Sequence, residues 1–322
     1  MKTQQIQEKI VQKIIKQMET AGKNWTKPWN EIGGMPKNIR GTFYKGINTF
    51  ILWSEMLDKG YKQRTFATFK QIQEKGGKVN KGEKGCQVVF WKPTEYKTGE
   101  KDDSGDDVYK KSLICKFYYV FNLDQTDLLE DDINPIVGEA EELPSVEEYI
   151  KNTGADIRID DSKYKNACYY VPSKDYIGMV SKDYFKSTKA GGSATANYYA
   201  TLLHELTHWT GHESRLDRNY KAKYFDDVHK YAFEELVAEL GSVLQTQMLG
   251  INSAPTEHAA QYLNIWLGRI KEKPDLFFKA SAMAQKAVTY IQDLQKKDVK
   301  IESNQNMAKL FKNRYTPEKI SA

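Results

Sequence analysis

The sequence lacks long apolar runs and is poor in cysteine. None of its apolar stretches approaches the roughly 20 residues that a membrane-spanning helix needs, and its first ten residues, MKTQQIQEKI, lack the apolar segment of a secretory signal peptide. The three cysteines, Cys86, Cys115 and Cys168, are odd in number and far apart, which argues against a disulfide framework and against a cysteine zinc site. We therefore expect a cytoplasmic protein with no membrane partner and with buried, reduced thiols.

Acidic residues are scarce in the first third of the chain. Residues 1–101 contain 20 Lys and Arg but only 9 Asp and Glu, whereas residues 102–322 contain 28 and 34. The net charge of +5 therefore conceals a basic first segment and an acidic remainder. Since a strongly basic segment attracts polyanions, this asymmetry favours a nucleic acid as its partner. With 322 residues and a hydrophobic fraction of 40%, the chain is long enough for two domains.

Histidine is also scarce, yet two of the five histidines, His204 and His208, stand four residues apart in the run HELTH. The surrounding stretch contains neither Pro nor Gly, carries an apolar stripe and precedes Gly211, which predicts a helix over Ala194–Trp209. Residues four apart share one face of a helix, so both imidazoles can bind a single Zn²⁺. The glutamate between them, Glu205, is then the expected catalytic base.

A second helix is predicted over Tyr231–Leu249, where an apolar periodic run that ends at Gly250 contains three glutamates. Carboxylates on so apolar a helix need a partner, because burying an unpaired charge costs several kcal/mol. Glu235 and Glu239 are again four apart, so we expect Glu235 to bind the metal and Glu239 to accept the Nδ1–H of a ligand histidine. Glu234 is the alternative for either role.

His212 is a further candidate near the metal. Zinc peptidases with a third histidine ligand have the pattern HExxHxxGxxH, which requires histidine at a position where this chain has Ser214. His212 is therefore not predicted as a ligand. It is expected either to lie in the pocket and support a ligand by hydrogen bonding, or to be a partly exposed turn residue.

Zinc with three protein ligands keeps an open fourth position, which is typical of catalytic sites. The expected chemistry is amide hydrolysis, in which the metal lowers the pKa of its water to about 7 and Glu205 carries the proton to the leaving amine. Several residues are compatible with stabilising the transition state: Tyr176, Tyr198, Tyr199, Tyr231 and His212. A zinc site that only folds its domain is the alternative, although the presence of Glu205, which binds no metal, favours catalysis.

The basic segment begins with an amphipathic helix, because apolar residues recur every four positions from Ile6 to Met18. Aromatic and basic residues then interleave, as binding of single-stranded DNA requires, since bases stack on rings while Lys and Arg follow the phosphates. Aromatic residues more often build a core, which is the alternative for many of them. The predicted DNA-binding residues are Trp25, Lys27, Trp29, Lys37, Arg40, Tyr44, Lys45, Asn48 and Arg64.

The sequence predicts an α+β fold with two domains. Two strands, 86–91 and 112–122, flank an acidic stretch, TGEKDDSGDD, that is interpreted as a mobile loop. Ser145 and Glu148 form a capping box that opens the second domain. The predicted units are a small basic α+β domain that binds single-stranded DNA (1–130), an acidic linker (131–144), a mainly helical metal-binding domain (145–296) and a polar C-terminal tail (297–322).

Several motifs, in order along the chain, resemble those of the ArdC family of antirestriction proteins: WTKPW, PKN, YKGIN, VFNLDQT, HELTHWTGHESRLDR and EELVAELG. The resemblance covers about residues 5–295 and includes an N-terminal part shared with plasmid TraC-type primases. It implies an N-terminal single-stranded-DNA-binding domain and a C-terminal zincin-like metallopeptidase domain related to SprT-like proteases. Such proteins are carried by conjugative elements and protect entering DNA from restriction.

The resemblance places the family's zinc motif on His204, Glu205 and His208 and its acidic helix on residues 234–239. Two functions follow. The first is a zinc peptidase that binds single-stranded DNA and cleaves an unidentified protein, either of a restriction system or bound to DNA. The second is a non-catalytic protein that protects DNA by binding it and has a structural zinc domain. A scaffold associated with a primase is less favoured, because the chain has no polymerase-like acidic motif.

Overall fold

The structure is a computed structural model that describes residues 3–22, 29, 32, 34–101, 103–128, 144–164, 168–187, 192–218, 228–253 and 257–314. Within these ranges, only the backbone is described for residues 3–6, 113, 144, 228–229, 257–263 and 296–314. Most of the predicted linker therefore lies outside the described residues.

The first part of the chain forms a four-stranded sheet with helices against it. Its elements are α1 (Thr3–Ala21), β1 (Lys37–Asn38), α2 (Ile47–Lys59), β2 (Thr65–Ala67), α3 (Phe69–Glu74), β3 (Cys86–Lys101) and β4 (Asp107–Asn122). The strand order is β1-β2-β4-β3, in which β1 and β2 are parallel and the other pairs are antiparallel. The long β3–β4 hairpin dominates this sheet and keeps one register from Cys86 opposite Val120 to Lys97 opposite Tyr109.

The second part of the chain combines a small sheet with long helices. Its elements are α4 (Pro144–Lys151), β5 (Asp156–Ile159), α5 (Asp161–Tyr164), β6 (Tyr169–Val171), β7 (Tyr176–Met179), α6 (Ala194–Trp209), α7 (Val228–Leu249), α8 (Glu257–Glu272) and α9 (Asp275–Arg314). The strand order is β5-β7-β6, with β5 parallel and β6 antiparallel to β7. The predicted α+β fold class is thus confirmed, and helices dominate the second part.

The two helices predicted around the metal motif are confirmed. α6 has the predicted bounds, and its N-terminus is capped by the Ser193 hydroxyl, which accepts a hydrogen bond from the Ala196 N–H. α7 ends at the predicted Leu249 but begins at Val228, three residues before the predicted start. The amphipathic helix at the start of the chain is also confirmed as α1, which ends at Ala21.

Two local predictions are wrong. The acidic stretch predicted as a loop is half strand, because β3 continues to Lys101 and β4 begins at Asp107, so that only residues 102–106 lie between the two strands. Cross-strand ion pairs between Lys97 and Asp107 and between Lys101 and Asp107 offset the low strand propensity of this stretch. α4 begins at Pro144, so Ser145 lies within its first turn rather than at the cap position.

One hydrophobic core joins the two parts of the chain. Phe50 of α2 packs against Phe277 of α9, with ring centroids 5.8 Å apart. The same core contains α1 residues and the apolar face of α7. Polar contacts reinforce this junction, since the Gln247 and Gln285 side chains accept hydrogen bonds from the Gly34 and Gly46 backbone N–H groups. The DNA-binding and metal-binding parts predicted from the sequence are therefore packed together rather than separated.

Among the described residues, no helix is long and apolar enough to cross a membrane. All three cysteines are free, as expected, although only Cys86 is buried while Cys115 and Cys168 are half-buried. Burial raises the pKa of the Cys168 thiol to about 11 and that of Cys86 to about 12, so these two thiols are protonated at neutral pH.

The shared core predicts that a substitution in α9 destabilises the whole chain. Phe277→Ala removes a fully buried ring and leaves a cavity against Phe50, which lowers the free energy of unfolding by about 3–5 kcal/mol. Urea denaturation followed by tryptophan fluorescence measures this change. Phe43→Ala, which removes a half-exposed ring, is the control and changes stability by about 0.5 kcal/mol or less. Equal stability of the two variants would contradict a shared core.

Candidate metal centre

The site is built at a close crossing of α6 and α7. Gly241 of α7 allows this approach, because a Cβ atom at that position would lie 2.5 Å from Cγ2 of Thr207 on α6. The Ser242 hydroxyl donates a hydrogen bond to the Ala200 carbonyl at 2.8 Å, and the Gln245 amide donates one to the Thr207 hydroxyl at 3.0 Å. These contacts fix the position of the two helices relative to each other, so that the histidines of α6 face the glutamates of α7.

His204, His208 and Glu235 converge at this crossing and are all buried. The two Nε2 atoms are 3.2 Å apart, and the Glu235 carboxylate approaches each of them to 3.4 Å. Ligands at about 2.1 Å from a tetrahedral zinc lie about 3.4 Å from one another. The three side chains therefore fit a divalent metal in spacing, in burial and in donor type.

Two further carboxylates hold the outer nitrogens of the imidazoles. Oε2 of Glu239 lies 3.4 Å from Nδ1 of His204, and Oε1 of Glu234 lies 3.2 Å from Nδ1 of His208. A carboxylate at Nδ1 fixes the ring orientation and leaves the Nε2 lone pair directed at the metal. Glu235 thus lies at the two Nε2 atoms, whereas Glu239 and Glu234 each lie at the Nδ1 atom of one histidine.

Arg218 forms an ion pair with Glu234 and was not predicted from the sequence. Its guanidinium donates hydrogen bonds to the Glu234 carboxylate at 2.7 Å, to the Thr207 carbonyl at 2.6 Å and to the Thr210 hydroxyl at 2.8 Å. After the last turn of α6 the chain folds back toward the end of this helix, where the Arg218 N–H donates a hydrogen bond to the Gly211 carbonyl. The only sequence signal was the motif HESRLDR, in which no spacing rule distinguishes this arginine.

The charges of this cluster depend on one another. Burial alone would raise the pKa of Glu234, but the Arg218 and His208 charges lower it to about 2. Burial opposes protonation of His208, yet the Glu235 and Glu234 carboxylates raise its pKa to about 9. The pKa of Glu235 is likewise lowered by the two histidines against its desolvation. The carboxylates thus create a negative potential between the imidazoles, which stabilises a cation there.

Glu205 lies beside the ligand cluster and is held from a different element. Its carboxylate Oε2 accepts a hydrogen bond of 2.7 Å from the backbone N–H of Tyr170 on the edge strand β6. Its side chain is 3% exposed. One oxygen is therefore anchored to β6, which orients the carboxylate without neutralising it. This backbone donor could not be recognised from the sequence, because it depends on how β6 packs on α6.

The structure separates the other predicted pocket residues. His212 lies in the turn after α6, where its Nδ1 is 2.8 Å from the Ser214 hydroxyl, which agrees with the turn alternative. The Tyr199 hydroxyl binds Glu147 and Lys182 on the outer side of the fold. Tyr198 and Tyr176 are buried in apolar clusters, whereas Tyr231 lies on α7 one turn before Glu235 and is half-buried.

Two of the predicted DNA-binding residues have structural roles instead. Trp29 is 1% exposed and packs against the Phe50 and Trp53 rings with centroids 5.2 and 6.3 Å away, so its ring cannot stack on a base. The Asn48 amide forms two hydrogen bonds of 2.8 Å with the N–H and carbonyl of Val89. Asn48 therefore supplies hydrogen-bond partners to backbone groups of Val89 and links β3 to α2.

The remaining predicted DNA-binding residues differ in accessibility. Arg40 and Lys45 are exposed in the loop between β1 and α2. Lys37 and Tyr44 are half-buried, and the Arg64 guanidinium packs over Gly34, where a Cβ atom would lie 1.9 Å from it. Trp25 and Lys27 lie outside the described residues. Among the predicted residues that the structure describes, those fully exposed thus lie in the β1–α2 loop.

Two family models match the chain one after the other. That of the N-terminal domain of the anti-restriction factor ArdC matches residues 4–121, and that of the zincin-like metallopeptidases matches residues 144–283. The second match contains the whole cluster around His204 and His208.

Individual proteins resemble the chain over most of its length. DNA primase TraC of Escherichia coli is 32% identical over 92% of this chain, which spans only 28% of that primase. Protein y4eC of Sinorhizobium fredii is 30% identical over 89% of this chain and 91% of its own length. The crystal structures of the antirestriction ArdC protein from the R388 plasmid, one metal-free and one bound to Mn(II), are 37% identical, cover 89% of this chain and 97% of theirs, and give TM-scores of 0.71 and 0.70. The chain therefore belongs to the ArdC family of antirestriction proteins, and its second part is a zincin-like metallopeptidase domain.

Proposed function

We propose that the protein is a metal-dependent peptidase that binds single-stranded DNA and protects DNA entering a cell from restriction. The spacing of the His204, His208 and Glu235 ligand atoms, 3.2–3.4 Å, supports the metal-dependent part of this proposal most strongly. The zincin-like domain supports peptide hydrolysis as the reaction. Membership of the ArdC family and the basic first part of the chain support DNA as the partner.

The proposed resident metal is Zn²⁺, held by His204, His208 and Glu235. Two imidazoles and one carboxylate are a donor set that zinc peptidases use. The R388 relative has been crystallised with Mn(II). A site of nitrogen and oxygen ligands nevertheless binds zinc more tightly than manganese, because affinity rises along the first-row series from Mn²⁺ toward Cu²⁺ and Zn²⁺.

The bound metal would polarise the scissile carbonyl and make a water molecule acidic enough to act as the nucleophile near neutral pH. Glu205 takes the proton from that water and delivers it to the leaving amine nitrogen. Because the Tyr170 N–H holds one of its oxygens, the other oxygen remains available for the proton. Glu234 and Glu239 keep the imidazoles in the orientation and tautomer in which they bind metal.

The proposed substrate is a protein bound to DNA or part of a restriction system. A peptidase that cleaved proteins without selection would damage the proteins of its own cell. Binding to single-stranded DNA would confine cleavage to proteins near that DNA, which is a reason for joining the two parts in one chain. The shared core around Phe50 and Phe277 supports this coupling, because it packs the part proposed to bind DNA directly against α7 and α9.

Removing any one of the proposed ligands abolishes metal binding. His204→Ala, His208→Ala and Glu235→Ala each leave only two protein ligands, so elemental analysis of the purified variants shows little zinc. Glu239→Ala keeps all three ligands and weakens zinc binding by about tenfold to a hundredfold. Glu213→Ala, which removes an exposed carboxylate near the site, is the control and keeps one zinc per chain. Full occupancy of Glu235→Ala together with loss of metal in Glu234→Ala would overturn the ligand assignment.

Glu205→Gln should retain the metal but lose hydrolysis. The amide cannot accept a proton, so cleavage falls by about a hundredfold or more. The assay follows cleavage of β-casein and of the protein itself by mass spectrometry, with zinc and with or without a thymidine oligonucleotide. Glu213→Gln is the matched control. Cleavage by Glu205→Gln at the wild-type rate would exclude the proposed base, and absence of cleavage by the metal-loaded wild type would favour the non-catalytic alternative.

The full chain should bind a single-stranded oligonucleotide more tightly than a duplex of the same length. Both base stacking and phosphate contacts contribute, and only the phosphate contacts are screened by salt, so affinity decreases with salt but does not vanish. Fluorescence anisotropy with a labelled thymidine 20-mer measures the affinity. Preference for the duplex would contradict the proposed DNA partner.

A further inference from the structure

The β3–β4 hairpin extends beyond the core that anchors it. Its base is buried, since Val88, Val89 and Val120 belong to the shared core. From Phe90 onward the side chains of both strands are mostly exposed. β2 pairs with β4 only at Phe121 and Asn122, and β3 is the edge strand, so the outer half of the hairpin is a two-stranded ribbon with solvent on both faces. Such a ribbon is marginally stable by itself, and exposed rings on it are typical of an interaction surface.

The two faces of this ribbon differ in composition. Side chains alternate between faces along a strand, and paired residues share a face. Three aromatic residues and three lysines therefore lie on one face, here called the aromatic–lysine face: Phe90, Lys92, Tyr96, Lys110, Lys116 and Tyr118. Phe90 is 51% exposed, Tyr96 53% and Tyr118 37%. Phe90 pairs with Lys116 and Tyr96 with Lys110, so each of these two rings lies beside a cation.

The charge of the aromatic–lysine face is uncompensated. It has no Asp or Glu, and no ion pair of its lysines is found within the described part of the chain. On the opposite face, Lys111 pairs with Glu95 across the strands, and Lys97 forms an ion pair of 2.6 Å with Asp107. The aromatic–lysine face, which also carries Thr94, Ser112 and Ile114, thus has no acid beside its lysines, whereas the opposite face, which carries Trp91 and Tyr109, has Glu95 and Asp107 beside its lysines.

We propose that single-stranded DNA lies along the aromatic–lysine face. Bases have flat faces that stack on Phe and Tyr rings, and lysines beside those rings can follow the phosphates without reading sequence. From Tyr118, opposite Val88, to Tyr96 the face spans eight residues of strand, or about 27 Å. At roughly 3.4 Å per stacked nucleotide this length accommodates about eight nucleotides, which is within the usual range for single-strand sites.

The face continues toward the loop that carries the accessible residues predicted from the sequence. Asn48, two residues after Gly46 of that loop, forms two hydrogen bonds of 2.8 Å with the backbone of Val89 at the base of the hairpin. Arg40, Phe43 and Lys45 of the same loop are exposed. The loop that carries these exposed residues therefore lies near the base of the hairpin, where the aromatic–lysine face begins.

A single strand fits this face better than a duplex or a peptide. The bases of a duplex are stacked inside it and cannot reach the rings, so only the lysines would contribute. A peptide strand could pair with the β3 edge, but this would use backbone groups and would leave the three lysines without a function. The assignment rests on the proposed binding of single-stranded DNA and specifies its surface.

Matched substitutions on the two faces test the assignment in the full chain. Lys92→Ala/Lys110→Ala removes two charges from the aromatic–lysine face, and Lys97→Ala/Lys111→Ala removes two from the opposite face at the same end of the hairpin. The first variant is expected to bind a thymidine 20-mer about tenfold to 30-fold more weakly at 0.1 M salt. Its slope of log K against log[salt] is expected to decrease in magnitude by about 1.4, because each lost phosphate contact removes about 0.7. The second variant is expected to change affinity by less than threefold.

Ring substitutions separate stacking from charge. Phe90→Ala/Tyr96→Ala is expected to lower affinity by about tenfold or more while leaving the salt slope unchanged, and Tyr109→Ala on the opposite face serves as its control. Unchanged melting temperatures check that the exposed substitutions leave the fold intact. If the wild type binds the 20-mer and the two faces respond equally, the surface assignment is wrong while single-strand binding stands. If the wild type does not bind the 20-mer, the proposed DNA partner itself is wrong.

Discussion

The burial of Glu234, Glu235 and Glu239 between α6 and α7 is the constraint on which the rest of the site depends. Carboxylates in such an apolar setting destabilise the fold unless cations or donors surround them. His204 and His208 of α6 contact Glu239 and Glu234, and Arg218, in the segment after α6, forms an ion pair with Glu234. The close crossing at Gly241, the returning loop and the anchoring of Glu205 on β6 all preserve this cluster.

The sequence predicted the parts of this site that follow from helical spacing. Pairs four residues apart on two Gly-bounded helices predicted α6, α7 and the facing positions of His204, His208, Glu235 and Glu239. Arg218 could not be predicted, because its contact depends on a turn that brings the chain back along α6. The Tyr170 N–H was equally inaccessible, since a backbone donor has no sequence signature and its position depends on tertiary packing.

The residues of the part proposed to bind DNA were predicted less well, because interleaved rings and cations occur both in cores and on binding surfaces. Trp29 lies among interleaved aromatic and basic residues, as an accessible ring would, but its side chain is buried in the core. The Asn48 side chain hydrogen-bonds to β3. Phe90 and Tyr118 lie in the strands predicted from the sequence and Tyr96 lies beyond the first of them, so the register of β3 against β4 was needed to place all three on one face with three lysines. The acidic stretch TGEKDDSGDD was predicted as a loop, so the outer part of the hairpin was not predicted as strand.

We propose that the cluster between α6 and α7 binds a metal ion and is not a self-neutralised group of ion pairs. Anomalous diffraction at the zinc edge, from crystals of the zinc-loaded protein, tests it most directly. We expect one peak within about 2.0–2.2 Å of Nε2 of His204, of Nε2 of His208 and of a Glu235 oxygen, with Glu234 and Glu239 still at the Nδ1 atoms of the histidines. A peak bound by Glu234 or Glu239 in place of Glu235, or intact His–Glu contacts with no peak between them, would contradict it.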